Sequence, residues 1–288
     1  MEVATLKGQM PKKLLKITYF GVEGSFSHIA ARRRFSGAEF KSGANAYDCF
    51  CALRQGVADQ IVVPIENASA GIIDHTVAEL IRYASWKGSQ YAVREELAMT
   101  IELLLMGKGP LTKVKRIYSH PAPFDHCDNW LRKHLPTVDR IAKTSTAQAA
   151  MEASRDPEGA AIASAESGQR YKLQILSKDV GREAMNKTKF FVVGKPLKSP
   201  KGALLLTIFF ELPHRSGALC DVLMELKKAK INMTRISSRP IFGRHDEYTF
   251  MIEVEMPATG TNFDKIKRKL EKLTDTISFE GVYPLIQV

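Results

Sequence analysis

Ten residues, "GKPLKSPKGA" at 194–203, divide this chain into two parts that must fold differently. Two prolines, two glycines and three lysines in that span favour an extended, solvated connection over a helix or a central strand. Ahead of it, apolar strand patterns alternate with helical ones. "KITYFGVEGSFSHIAARRRF" runs strand, glycine turn, helix, and "GVADQIVVPIENASAGIIDHTVAELIRY" repeats the plan, with a strand at Gln60–Val63 and helical apolar spacing at Ile73, Val77, Leu80 and Ile81. Alternation of this kind predicts an α/β unit with largely parallel sheets over 16–195 and ligand-binding loops at the strand ends. Beyond the linker the order changes to strand, helix, strand, strand, helix, strand. This is the ferredoxin-like βαββαβ plan, over 203–286.

The 288 residues suit two such units. No apolar run reaches the roughly 18 residues of a membrane span. The segment "MEVATLKGQMPKKLLK" has no continuous apolar stretch and reads as a short frayed leader rather than a signal peptide. Cys49, Cys51, Cys127 and Cys220 lack metal-ligand spacing and read as reduced thiols of a cytoplasmic protein. The formal charge of +11 is dispersed among acidic residues, without a nucleic-acid motif, so it favours a small anionic ligand over nucleic acid or membrane. Neither cofactor nor metal is expected.

One short stretch raises a chemical question. In "NKTKFFVVG", Thr188 and Lys189 stand at the mouth of the apolar run Phe190–Val193. Burying either side chain unpaired is costly, so each needs a partner or a task. Strand alternation places Thr188 and Phe190 on one face and Lys189 on the other, unless the strand begins or twists there. Hydroxyls recur before helices: Ser25 and Ser27, Asn67 and Ser69 after "VVPIE", and Ser145 and Thr146. Each reads equally as a helix cap or as a ligand contact, and free amides at a helix start favour carboxylates. Glu66 reads as structural, His120 as a turn residue before Pro121, and Cys127 as core.

The chain resembles the prephenate dehydratase family followed by an ACT regulatory domain. The resemblance is carried, in order, by "GVEGSFSHIAA", "VVPIENASAG", "YSHPAPFDHCDNWL", "TSTAQAA", "AAIASAESGQRY", "NKTKFFVVG", "RSGALCDVL" and "INMTRISSRP". It implies a catalytic domain of two α/β lobes like those of periplasmic binding proteins, working as a homodimer or homotetramer. The implied reaction converts prephenate to phenylpyruvate, for phenylalanine synthesis. Thr188 matches the hydroxyl of the family's Thr-Arg-Phe signature and is the expected catalytic residue, with Lys189 in place of the arginine. Ser25, Phe26, Ser27, Asn67, Ser69, Ser145, Thr146, Lys189 and Phe190 are the expected substrate contacts, with Lys189 on the pyruvyl carboxylate. The resemblance further implies a phenylalanine site between subunits at Gly217, Ala218, Leu219, Asn232, Ser238, Arg239 and Pro240, with Ser237 where the family has glutamate. Arogenate dehydratase, a non-aromatising prephenate decarboxylase and a non-catalytic amino-acid sensor are the alternatives.

Overall fold

The computed structural model describes residues 14–84, 90–181, 186–198, 200–241, 243–256 and 263–288. The leader expected at the N-terminus lies outside them as far as Lys13.

The chain first builds β1 (Lys16–Phe20), α1 (Phe26–Arg34), β2 (Glu39–Gly43), α2 (Ala46–Arg54), β3 (Gln60–Asn67), the short β4 (Gly71–Ile72), α3 (Asp74–Ala84) and β5 (Ala92–Thr100). It then crosses into a second lobe: β6 (Leu104–Gly107), β7 (Arg116–Ser119), α4 (Pro121–His126), α5 (Asp128–His134), β8 (Asp139–Ala142), α6 (Thr146–Ala153), β9 (Gly159–Ala163), α7 (Ala165–Arg170) and β10 (Gln174–Ser177). A returning strand, β11 (Lys187–Gly194), re-enters the first lobe between β3 and β5.

The sheets are mixed, which corrects the expectation of largely parallel ones. β1 pairs in parallel with β2 and β3, but β11 is antiparallel to both β3 and β5. In the second lobe β7 is parallel to β8 and β9, while β6 is antiparallel to β9 and β10. A βαβ crossover returns a strand in its original direction. Strands that arrive from the other lobe, as β6 and β11 do, carry no such constraint.

The C-terminal module comprises β12 (Leu204–Glu211), α8 (Ala218–Lys228), β13 (Met233–Pro240), β14 (Tyr248–Glu255), α9 (Phe263–Leu273) and β15 (Thr276–Gln287). Its strand order, β13-β14-β12-β15, is the ferredoxin-like one. Leu206, Ile208 and Phe210 face α8 and α9, where they meet Val222, Leu226, Ile266 and Leu270. The alternate residues Leu205 and Phe209, with Met251 and Tyr283, instead enter a core shared with Val63, Ile65, Phe191 and Val193 of the first lobe. The module is therefore not a separate body on a linker. The end of β15 even pairs with β5, Leu285 opposite Glu96 and Gln287 opposite Ala98, so one ten-stranded sheet runs through both units. Gly281 permits that departure: it holds φ +102°, and a Cβ there would collide with the carbonyl oxygen of Val93.

Candidate active site

β3 reads "QIVVPIEN", six consecutive buried residues and then two half-buried polar ones. Pro64 has no N–H to give the ladder, and the register slips there: Lys189 lies opposite Glu66 and Phe190 opposite Pro64, leaving Ile65 as the extra residue. The bulge belongs to β3. Beside the cleft β11 stays regular against β5, with Thr188, Lys189 and Phe190 opposite Met99, Ala98 and Leu97, and the later shift between Val192 and Val193 leaves its extra residue, Arg94, on β5. Side chains of β11 accordingly alternate without interruption. Phe190 and Val192 join the core facing the second lobe, and Phe191 and Val193 the core behind the sheet.

Thr188 faces the cleft between the lobes, 6 % exposed. Its Oγ accepts a hydrogen bond from the Asn67 amide at 2.8 Å, and the same amide donates to Asn186 Oδ1 at 2.9 Å. Asn67 Oδ1 in turn accepts from the backbone amides of Ser69 and Ala70, both at 3.0 Å. This turn fixes which end of the Asn67 side chain meets Thr188. A hydroxyl that accepts from one neighbour keeps its own proton to donate elsewhere. The proton of Thr188 is thus available to a molecule in the cleft.

The part of the cleft beside Thr188 is a cavity of about 200 Å³. Three helix starts converge on it, capped by Ser25 (α1), His120 (α4) and Ser145 (α6), which accept from the amides of His28, Ala122 and Gln148. Phe20, Phe26, Ile73 and Phe190 supply apolar wall. Among the described residues lining it, none is Lys, Arg, Asp or Glu. Anionic groups there would be met by hydroxyls and by the positive ends of helix dipoles rather than by full charges. Burial lowers the His120 pKa, so its imidazole is neutral near pH 7. Its Nδ1 accepts from Ala122, which leaves Nε2–H as a donor.

Of the expected contacts, Ser25, Phe26, Ser27, Asn67, Ser145, Thr146, Thr188 and Phe190 all line this cavity. Ser69 does not; it bridges the lobes at 2.9 Å from Nδ1 of His126, whose Nε2 lies 3.2 Å from the carbonyl oxygen of Gly181. Lys189 is a correction. Its ammonium lies behind the sheet, 3.4 Å from Glu66 and 3.3 Å from Glu96, because unbroken alternation turns it away from Thr188. Asn186 and His120 also line the cleft, and neither is among the expected contacts. For Asn186 the signal was its place two residues before Thr188, on the cleft face of the same segment.

Lys189 belongs to a cluster of five charged side chains. Arg235 of the C-terminal module, 2 % exposed, contacts Glu66 at 2.7 Å, Glu96 at 3.2 Å and Glu253 at 2.8 Å. Two cations thus face three carboxylates, and a single proton balances them. Burial first, then a hydrogen bond with Glu253, pushes the Glu96 pKa up to about 7, against the pull of Arg235 and Lys189. For Glu66, burial is offset by Arg235 and then Lys189, and the pKa ends below its usual value.

A raised folded-state pKa means that Glu96 contributes stability fully below about pH 4.5, and loses it as pH rises through about 7. The depressed Glu66 contributes in the opposite sense, its share being lost on acidification. Urea midpoints should therefore fall between pH 5 and 8 in the unaltered chain and fall less in Glu96→Gln. Parallel pH profiles for the two proteins would contradict this.

In the C-terminal module, Gly217 caps α8 at φ +79°, followed by Ala218 and Leu219. Ser238, Arg239 and Pro240 close β13 near the same end of the sheet, since Arg239 and Glu211 both lie opposite Thr249. Asn232 precedes β13 at the other end, roughly 20 Å away at the usual strand rise. One copy of the chain does not bring Asn232 and Gly217 together. Arg239 is also committed: its guanidinium hydrogen bonds to the Asp74 carbonyl at the start of α3 and approaches the Asp74 carboxylate at 3.4 Å. In one copy of the chain Arg239 thus contacts the first lobe.

Comparison with known proteins agrees with this geometry. The family profile described as "Prephenate dehydratase" matches residues 17–198. A bifunctional chorismate mutase/prephenate dehydratase of Aquifex aeolicus is 30 % identical over 275 residues, covering 95 % of this chain and 74 % of that protein. The crystal structure of a prephenate dehydratase from Arthrobacter aurescens in complex with L-Phe superposes with a TM-score of 0.83 at 28 % identity, covering 94 % of this chain and 90 % of that one. A structure described as a quorum-quenching acylase, GqqA, shares the fold alone, with TM-score 0.79 at 23 % identity, covering 94 % of this chain and 97 % of that one. Among the described residues, no helix is long and apolar enough to cross a membrane.

Proposed function

The chain belongs to the prephenate dehydratase family, and on that premise we propose that its inter-lobe cleft binds prephenate and that Thr188 assists the departure of the ring hydroxyl. Prephenate carries a ring carboxylate, a pyruvyl carboxylate and a ring hydroxyl. As carbon dioxide leaves, the electron pair of its bond enters the ring. The ring C–O bond breaks, the departing oxygen takes up one proton to become water, and phenylpyruvate remains. Aromatisation drives the step, so the protein's share is orientation and help to the leaving oxygen.

The single observation that carries this reading is the Asn67–Thr188 hydrogen bond, which aims the threonine proton into a cavity whose described lining residues are uncharged. A preorganised donor in such a site acts on charge as it develops on the leaving oxygen. That none of the described lining residues is a cation suits decarboxylation equally well. An ion pair on the departing carboxylate would stabilise the ground state and raise the barrier. The pyruvyl carboxylate is assigned to the helix starts at Ser25 and Ser145, and the ring to the wall of Phe20, Phe26 and Phe190. Arogenate carries an ammonium in place of the keto oxygen, and the described lining residues offer it no carboxylate. Prephenate is therefore the preferred substrate.

Absorbance of phenylpyruvate and of phenylalanine, formed from prephenate and from arogenate respectively, tests the proposal. Phenylpyruvate formation with higher kcat/KM on prephenate is expected. Faster turnover of arogenate would shift the assignment to arogenate dehydratase, a non-aromatic product would make the protein a decarboxylase, and binding without product would make it a sensor.

The C-terminal module is proposed to be an ACT domain that binds phenylalanine between two copies, in a homodimer or homotetramer in the cytoplasm. Its βαββαβ order supports this, as does the separation of Gly217 from Asn232, which only a second copy can close. Ser237 lies between Arg235 and Arg239 on one face of β13, where the family's glutamate would add a carboxylate. Weak inhibition by millimolar phenylalanine is expected, and stronger inhibition in Ser237→Glu. The full chain is the proper sample, because Leu205, Phe209 and Tyr283 belong to a core the module shares. No heat of binding and no inhibition would leave the module a structural one.

A further inference from the structure

We propose that Arg235, in the C-terminal module, is a positioning residue for Thr188: it braces from behind the strand pair whose cleft face carries the Thr188–Asn67 hydrogen bond. Its effect on turnover rests on the dehydratase reading. The bracing itself does not.

The geometry is one of adjacent residues on opposite faces. Thr188 lies opposite Asn67, and the next rung sets Lys189 opposite Glu66. The front members of these rungs make the 2.8 Å hydrogen bond in the cleft. Behind them, Nε and Nη2 of Arg235 donate to a single oxygen of Glu66, at 3.0 and 2.7 Å. The same guanidinium donates to both oxygens of Glu96 on β5, at 3.2 and 3.3 Å, and to Glu253 at 2.8 Å. It also lies over the Phe191 ring of β11, 5.4 Å from the centroid. One side chain from β13 thus touches all three central strands β3, β5 and β11. A planar guanidinium can span several carboxylates in this way, whereas an ammonium supplies a point charge.

The brace sits where β3 is least regular. The bulge at Ile65 removes a rung of the β11 ladder immediately next to Glu66, and the other edge of Glu66 and Asn67 is held only by the two-residue β4. Asn67 is the residue that aims the Thr188 proton. A second contact from β13, Arg239 on Asp74, lies beside Ile73 and beside His75, whose ring stacks on Phe20 at 5.3 Å; Ile73 and Phe20 both line the cleft. Buried ion pairs add little net stability compared with well-packed apolar residues. What this one supplies is placement.

The test compares Arg235→Met, Arg235→Lys and the double variant Arg235→Met/Glu96→Gln in the full chain. The double variant removes one carboxylate together with the cation, so a single proton again balances the cluster, and Glu253 keeps its hydrogen bonds from Thr234 and Tyr283. Turnover of prephenate is measured per folded molecule, and hydrogen exchange is followed in peptides covering 60–69 and 186–194. A displacement of 1 Å at a reacting group costs on the order of 100-fold in rate. The expected result is a loss in kcat of about 10- to 100-fold with KM changed by less than about threefold, partial recovery in Arg235→Lys, and faster exchange in both peptides. Wild-type kcat in a folded double variant overturns the proposal, as does unaltered exchange in those peptides. Should the unsubstituted chain leave prephenate untouched, the dehydratase reading fails, and the exchange result alone decides whether Arg235 braces the strands.

Discussion

Thr188→Ala is expected to leave a folded protein whose turnover of prephenate is lower by about 100-fold or more. Alanine keeps the Cβ and the strand register but leaves the Asn67 amide without one of its two acceptors. Asn186 Oδ1 still satisfies that amide, so the cost in stability is small beside the cost in rate. Thr188→Ser keeps the hydroxyl and should retain measurable activity, with some loss because serine is freer in χ1. The loss should fall on kcat more than on KM, since the hydroxyl acts on the leaving oxygen and not on a carboxylate. Near-normal turnover in a folded Thr188→Ala protein would remove the hydroxyl from the mechanism.

The second large effect lies behind the sheet. Phe191 is fully buried, meets the Tyr283 ring edge-on at 5.7 Å, and packs among residues of both the first lobe and the C-terminal module. Truncating such a side chain costs about 3–5 kcal/mol. At the usual scaling for chains of this size, that lowers Tm by roughly 10 °C or more. Because the core is shared, Phe191→Ala should melt in one transition, with both units lost together. Two separated transitions in calorimetry would show that the module folds independently of the first lobe.

The module's order of elements was legible because each of its patterns is local. Helical spacing in "GALCDVLMELKKAK" and alternation in "DEYTFMIEVEM" need nothing from elsewhere in the chain. The cleft hydroxyls were legible for the same reason, since a serine before a helix is a local signal whether it caps or binds. What escaped depends on partners distant in sequence. The direction of β11 follows from its return out of the second lobe, which no window around "TKFFVVG" records. Alternation set Lys189 apart from Thr188, yet the likeness to Thr-Arg-Phe drew it toward the substrate. The partners that hold it, Glu66 and Glu96, come from β3 and β5. A clue did exist in "VREELAM", where Glu95 and Glu96 interrupt an otherwise buried strand. A carboxylate so placed demands a cation, and the alternating polar strand "TRISSRP" offers Arg235 and Arg239 on a single face. Joining those segments requires the packing of two sheets, which sequence periodicity does not encode.

In the proposed reaction uncharged groups at the starts of α1 and α6 receive the substrate, while Lys189 serves the rear of the sheet. A crystal structure with phenylpyruvate bound tests it most directly. The product carboxylate is expected at the amides and hydroxyls of Ser25–Ser27 or Ser145–Thr146, the ring against Phe26 and Phe190, and Lys189 still paired with Glu66 and Glu96. A carboxylate bonded to the Lys189 ammonium, with that side chain turned into the cleft, would contradict it.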